Sequence, residues 1–216
     1  MDYVQMVADL LGGLLVSVQI FIYTLALALP FGFVVAFGRM AKNPLVSGAF
    51  RIFISIVRGT PLMLQIMFVY FSPYMLFGMP LSKYPRLLAT VLAFSLNYAA
   101  YFAEIYRGGI LSIDVGQHEA AKALGLGRAQ TFFRIILPQT VKRVIPAVGN
   151  EVITLVKDTS LAFTIAVTEM FTIAKQLSSS NTSMTPLVAA GAFYYIFNFI
   201  VAWSMERLEK RYSYYN

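Results

Sequence analysis

The chain has 216 residues, of which 58% are hydrophobic, 15% aromatic and only 12% charged, with a mean hydropathy of +0.69. Soluble domains carry about 25% charged residues, so half that share points to lipid as the principal solvent. Cysteine is absent and histidine occurs once, at His118, which excludes disulfides, thiolate chemistry and histidine-cluster metal centres; the net charge of +7 sits in no aromatic-interleaved basic tract of the kind that grips nucleic acid.

Charge-free runs mark the predicted spans in chain order, because a helix crossing the hydrocarbon core needs about 20 mostly apolar residues. Asp9 and Arg39 bracket 29 uncharged residues, which predicts a first span over about 10–37. It lacks a basic leading region and is too long for a cleavable signal peptide. Arg58 and Lys83 bracket 24, predicting a span over about 60–80, with Pro61 and Pro73 at positions that membrane helices tolerate. Arg86 and Glu104 bracket 17, predicting a third span over about 86–106. The fourth segment, about 144–173, is apolar but interrupted by Glu151, Lys157, Asp158 and Glu169. Beyond a polar external loop, Ser178 to Thr185, the run between Lys175 and Glu206 predicts a last span over about 186–206. Tyr212, Tyr214 and Tyr215 predict anchoring of the tail at the membrane surface.

Basic residues alternate between the sides. The first loop holds Arg39, Lys42, Arg51 and Arg58; the connection from about 107 to 143 holds Arg107, Lys122, Arg128, Arg134, Lys142 and Arg143; the tail holds Arg207, Lys210 and Arg211. Lys83, Arg86 and Lys175 fall on the other side. The positive-inside rule then sets the N-terminus outside and the C-terminus inside. The expected fold is an all-α membrane protein of about five transmembrane helices in one domain, 1–216.

The long inner connection is patterned. Asp114 followed by Gln117 predicts a capping box at a helix start. The run Glu119, Ala120, Ala121, Lys122, Ala123, Leu124 suits a short helix, with Gly125 and Gly127 as terminators. A second helical stretch, Arg128 to Leu137, is predicted to close at Pro138. Composition alone also allows a surface helix that merely joins two spans.

The same loop resembles the EAA motif of the membrane subunits of ATP-binding-cassette importers: Glu119-Ala120-Ala121, then Gly125, then Ile135-Ile136-Leu137-Pro138. The wider context is similar to the polar-amino-acid uptake family, through Arg58-Gly59-Thr60-Pro61, Ala103-Glu104-Ile105, Arg107-Gly108-Gly109, Gly116-Gln117 and Lys157-Asp158-Thr159-Ser160-Leu161. The resemblance implies the transmembrane domain of a type I importer, located as a multi-pass protein of the bacterial inner (cytoplasmic) membrane. It implies no catalytic residue and no bound cofactor in this chain, with ATP and Mg held by separate ATPase subunits. Consistently, no Gly-x-x-x-x-Gly-Lys-Ser/Thr loop is present. The implied partners are those ATPases, a second permease chain (identical or homologous), and an extracellular or periplasmic amino-acid-binding protein. The implied coupling residues are Gly116, Glu119, Ala120, Ala121, Gly125 and Pro138.

A second constellation lies within the spans. Asn97, Tyr101 and Glu104 are spaced i, i+4, i+7 and share one helix face. Lys157 and Asp158 interrupt the fourth segment; two such charges facing lipid would cost about 5–7 kcal/mol, so they are expected to face a protein interior or a wet cavity. A carboxylate such as Glu104 or Asp158 suits the ammonium of a zwitterionic amino acid, and Lys157 its carboxylate. The resemblance places Asn97, Glu104, Lys157, Asp158, Thr159 and Ser160 around a substrate pathway; Tyr101, on the same helix face as Asn97 and Glu104, and Arg58, at the inner end of a span, are further candidates to line it. The plainer alternatives are an internal ion pair at Lys157 and Asp158, and a topology anchor at Arg58. At the level of function, the alternatives are an ATP-independent channel or exchanger for small zwitterions, a membrane enzyme, for which no catalytic machinery is legible, and a non-transporting receptor.

Overall fold

In the computed structural model, residues 2–81 and 84–212 are described; Lys83, Tyr214 and Tyr215 lie outside them. Among the described residues the fold is all-helical, with helices α1 (Tyr3–Arg39), α2 (Pro44–Gly59), α3 (Leu62–Phe77), α4 (Arg86–Leu111), α5 (Val115–Ala123), α6 (Arg128–Thr131), α7 (Leu137–Asp158), α8 (Met170–Asn181) and α9 (Thr185–Tyr212). A π-helical turn, Phe132–Ile136, joins α6 to α7, and a 3-10 segment, Thr159–Ile165, follows α7.

Local chemistry sets the boundaries. The Asp2 carboxylate accepts from Val4 N at 2.9 Å to start α1. Asn43 caps α2 in the same way, with Pro44 in the first turn where its missing N–H is no loss. Gly78, at φ +64°, closes α3. α4 is the central helix: Ala89, Phe94, Tyr98, Ala99, Ala100, Phe102 and Ala103 are at most 2% exposed. Against it α1 lays a seam of smaller residues, in which Gly32 allows the backbone to approach Phe102.

Among the described residues three helices, α1, α4 and α9, are long and apolar enough to cross a membrane; α2 and α3, bent by 112° at their junction, make a fourth if the pair counts as one span. The sequence places residues 40–59 in a loop, yet α2 is a full helix whose apolar Leu45, Ile52 and Ile56 are exposed. The predicted span over 144–173 is not one continuous helix. Its helical part begins earlier, α7 ends at Asp158, and the chain tightens into the 3-10 segment before Ala166 turns it at φ +54°. The Thr159 and Ser160 hydroxyls drive this tightening by donating to the carbonyls of Val156 and Lys157 at 2.7 and 2.8 Å. α8 also extends into the expected external loop, leaving 182–184 as the turn.

Pro138 does not close the preceding stretch as expected. The helix runs on through it because the π-helical turn just before re-registers the backbone where proline can neither donate to, nor pack against, the carbonyl four residues back.

Candidate functional site: coupling loop and intramembrane polar cluster

The loop between α4 and α7 is built from its caps. Asp114 Oδ1 accepts from Gly116 N at 2.6 Å, and a Cβ on Gly116 would stand only 2.9 Å from that oxygen, so this tight cap calls for glycine. The return half of the expected capping box does not form. Gln117 Oε1 instead accepts from Gln139 Nε2 at 3.2 Å, tying α5 to α7. Arg143 of α7 donates to the carbonyl and to the hydroxyl of Ser112, the residue that caps α4 just before this loop, and so ties α7 to the end of α4. At the far end Gly125 N donates to the Lys122 carbonyl and Leu126 N to the Ala121 carbonyl, both at 3.0 Å, a Schellman closure with Gly125 at φ +74°. Glu119 and Ala120 are exposed, whereas Ala121 is 1% exposed and packs inward. Gly116, Gly125 and Pro138 are exposed, as are Val115, Leu124 and Phe133 nearby.

In the membrane segment, Asn97, Tyr101 and Glu104 lie on α4 but have different neighbours. Asn97, 6% exposed, donates from Nδ2 to Gln65 Oε1 on α3 at 3.0 Å. Tyr101 lies beneath the Arg58 guanidinium of α2, 4.9 Å from the ring centroid. Glu104 does not stand free: its carboxylate accepts from Arg107 Nη2 and Nε at 2.7 and 3.1 Å, one turn along its own helix. The neighbouring residue Tyr98 turns towards α7 and donates its hydroxyl to Asp158 Oδ2 at 2.7 Å. Glu151, two turns before Asp158 on the same face of α7, lies within electrostatic reach of Arg58 and Asp158. Lys157 is exposed, Thr159 fully buried and Ser160 half-buried.

The structure therefore brings Arg58, Asn97 and Tyr101 together at the α2–α3 corner, and sets Asp158 on the adjoining face of α4, through Tyr98. Gln65, Tyr98 and Glu151 belong to this cluster and were not singled out from the sequence as site residues. Gln65 has no periodicity signal, and Glu151 looked only like an interruption of a span. A cleft of 580 Å³ opens elsewhere, between the 3-10 segment and α8, where Lys175 stands 5.2 Å from the Phe163 ring.

Residues 28–214 match the model of the binding-protein-dependent transport system inner membrane component family. The chain belongs to that family. It is 38% identical to the octopine transport system permease protein OccM of Rhizobium radiobacter, over 95% of this chain and 86% of the relative. It is equally 38% identical to the L-cystine transport system permease protein TcyL of Bacillus subtilis (96% and 90%), and 34% identical to the glutamine transport system permease protein GlnP of Escherichia coli K12 (94% and 92%). Among solved structures, an amino acid ABC transporter superposes with a TM-score of 0.87 at 28% identity, covering 98% of this chain and 99% of the other. The MetNI methionine transporter in an inward-facing conformation shares the fold, with a TM-score of 0.79 at 17% identity over 97% and 98% of the two chains. Membership makes the capped, outward-facing α5 of this permease the natural place to look for coupling, and the polar cluster around α4 the natural place to look for passage.

Proposed function

We propose that this chain is the membrane permease subunit of an amino-acid importer powered by separate ATPase subunits. The observation that carries the proposal is α5: a short helix closed at both ends by specific caps, tied to α7 by Gln117, entered from an α4 end that Arg143 of α7 holds at Ser112, and presenting Glu119 and Ala120 outward. A rigid knob of this kind transmits movement; a flexible connection would absorb it. In this reading Glu119 is the polar anchor for the ATPase, and Ala120 lets its surface approach closely. Gly116, Ala121, Gly125 and Pro138 set the knob's shape and seating. ATP and Mg belong to the ATPase, and the permease performs no chemistry of its own.

Passage of a zwitterion runs past α4, where Arg58 and Asp158 offer opposite charges and Tyr101, Tyr98 and Asn97 offer polar contacts. Lys157, exposed at the end of α7, is available to a substrate carboxylate, and Ser160 lies one turn further; Glu104 and Thr159 shape the cluster from within. The relatives named for octopine, cystine and glutamine transport support an amino-acid cargo delivered by an external binding protein. Crossing five times, with the N-terminus outside, puts α5 in the cytoplasm of a bacterial cell. A single chain of this size does not enclose a pathway, so a second permease copy or homologue completes it.

The test is uptake of a panel of labelled amino acids into vesicles containing the permease, its ATPase and the binding protein. ATP-dependent accumulation of one amino-acid class is expected. Equal flux without the ATPase would replace this reading with that of a channel or exchanger.

A further inference from the structure

The corner between α2 and α3 poses a problem in backbone chemistry. A helix running on from α2 would pair the Val57 carbonyl with the N–H of residue 61, but residue 61 is proline and has none. A carbonyl left unpaired in a low-dielectric setting is costly. The Gln65 side chain, one turn into α3, supplies the missing donor: Nε2 lies 2.7 Å from the Val57 carbonyl, 3.0 Å from the Thr60 carbonyl and 2.9 Å from Thr60 Oγ1. Thr60 in turn donates to the Ile56 carbonyl at 2.8 Å. The opposite end of the same amide, Oε1, accepts from buried Asn97 of α4 at 3.0 Å. One side chain thus satisfies the broken backbone and fastens the corner to the central helix. Arg58, two residues before the break, is held over Tyr101, four residues beyond Asn97 on α4.

We infer that Gln65 is a positioning residue for the transport pathway: its amide holds the α2–α3 corner at its bend and thereby sets Arg58 over Tyr101. The functional half of this inference rests on the proposed importer reading, whereas its geometric half does not. Asn97, on this view, acts mainly through Gln65, which gives the intramembrane asparagine a definite task. Leucine at position 65 fills similar space but removes every one of these bonds. Glutamate keeps the length and the acceptor but loses the donor that the Val57 carbonyl needs.

Because the chain has no cysteine, the geometry is open to a direct probe. Arg58→Cys and Tyr101→Cys are introduced together, and their linkage by a short bifunctional thiol reagent is measured in membranes with Gln65 intact, with Gln65→Leu and with Gln65→Glu. Linkage is expected to fall at least about fivefold in both variants, the scale set by losing one to two net hydrogen bonds. The two variants guard against one that fails to insert, which its membrane level reports. Unchanged linkage in an inserted variant would overturn the inference, whether or not the protein proves to be an importer. In the cysteine-free importer, ATP-driven uptake by Arg58→Ala, Gln65→Leu and the double variant then forms a cycle. A positioning role predicts that the double variant is no worse than Arg58→Ala alone. Multiplying losses would mean that Gln65 acts on overall stability and not through Arg58. Absence of ATP-driven uptake in the unmodified protein would sink the importer reading, leaving the linkage result to decide the geometric claim.

Discussion

The Glu169 carboxylate, fully buried, accepts from Phe171 N, Thr172 N, Thr172 Oγ1 and the Tyr194 hydroxyl at 2.7 to 2.9 Å, with Ser17 Oγ at 3.5 Å. It caps α8 and at the same time ties together α1, α8 and α9, so a residue that looks from its sequence position like a charge marooned in a span is a structural clasp. Glu169→Ala removes the cap and strands the Tyr194 and Thr172 hydroxyls; the expected loss is about 2–4 kcal/mol, read as a lower melting temperature in detergent. Asp158 has a different setting. It accepts from the hydroxyl of Tyr98, whose ring sits among Phe94, Tyr101 and Phe102. Tyr98→Phe keeps that packing and deletes the hydrogen bond, so the protein should reach the membrane at normal levels while initial uptake falls severalfold. A fall in membrane level that matches the fall in uptake would instead mark Tyr98 as purely structural. The sequence singles out Asp158 through the Lys157-Asp158-Thr159-Ser160-Leu161 stretch but leaves Glu151 and Glu169 as bare interruptions of a span, and only three-dimensional neighbours identify Glu169 as a satisfied clasp.

At the level of elements, α5 owes its ends to two glycines with different duties. Gly125 sits at φ +74° with nothing among the described residues within 4 Å of where a Cβ would stand, so Gly125→Ala is strained by its backbone alone, at about 1–2 kcal/mol. Faster amide hydrogen exchange in the last turn of α5, with the rest of the bundle unchanged, is the expected sign. Glu119→Lys tests the outer face: the protein should insert and fold normally but retain less ATPase on purification and transport more slowly. Normal retention and transport would end the anchor role. α1, α4 and α9 were legible because long charge-free runs leave few alternatives to a membrane helix, and α5 because Asp114 and Gly125 carry cap chemistry. α2 was not, because Arg51 and Arg58 made its residues look like a charged loop although they ride on a helix with exposed apolar side chains. The break after Asp158 was hidden too, since hydroxyls turning back on the helix and the left-handed Ala166 have no composition signal. The π-helical turn before Pro138 overrode the usual reading of proline as a stop.

Across the whole molecule these pieces form a line of contact. Glu119 and Ala120 face outward on α5; Gln117 ties α5 to α7, and Arg143 ties α7 to the end of α4; α7 ends at Asp158, which meets Tyr98 on α4; and α4, through Asn97 and Gln65, holds the corner that carries Arg58. A push on α5 therefore has a continuous route to the polar cluster, along the length of α7 from Gln139 to Asp158. The requirement beneath it all is that α5 faces the cytoplasm and meets a second, ATP-hydrolysing subunit. With no native cysteine to confuse the result, Glu119→Cys provides a single thiol at the crest of the knob. In vesicles of known orientation, a membrane-impermeant maleimide should label it only from the cytoplasmic side, and a bifunctional reagent should join it to the ATPase. Labelling from the external side, or no linkage to the ATPase in an assembled and transporting complex, would contradict the account.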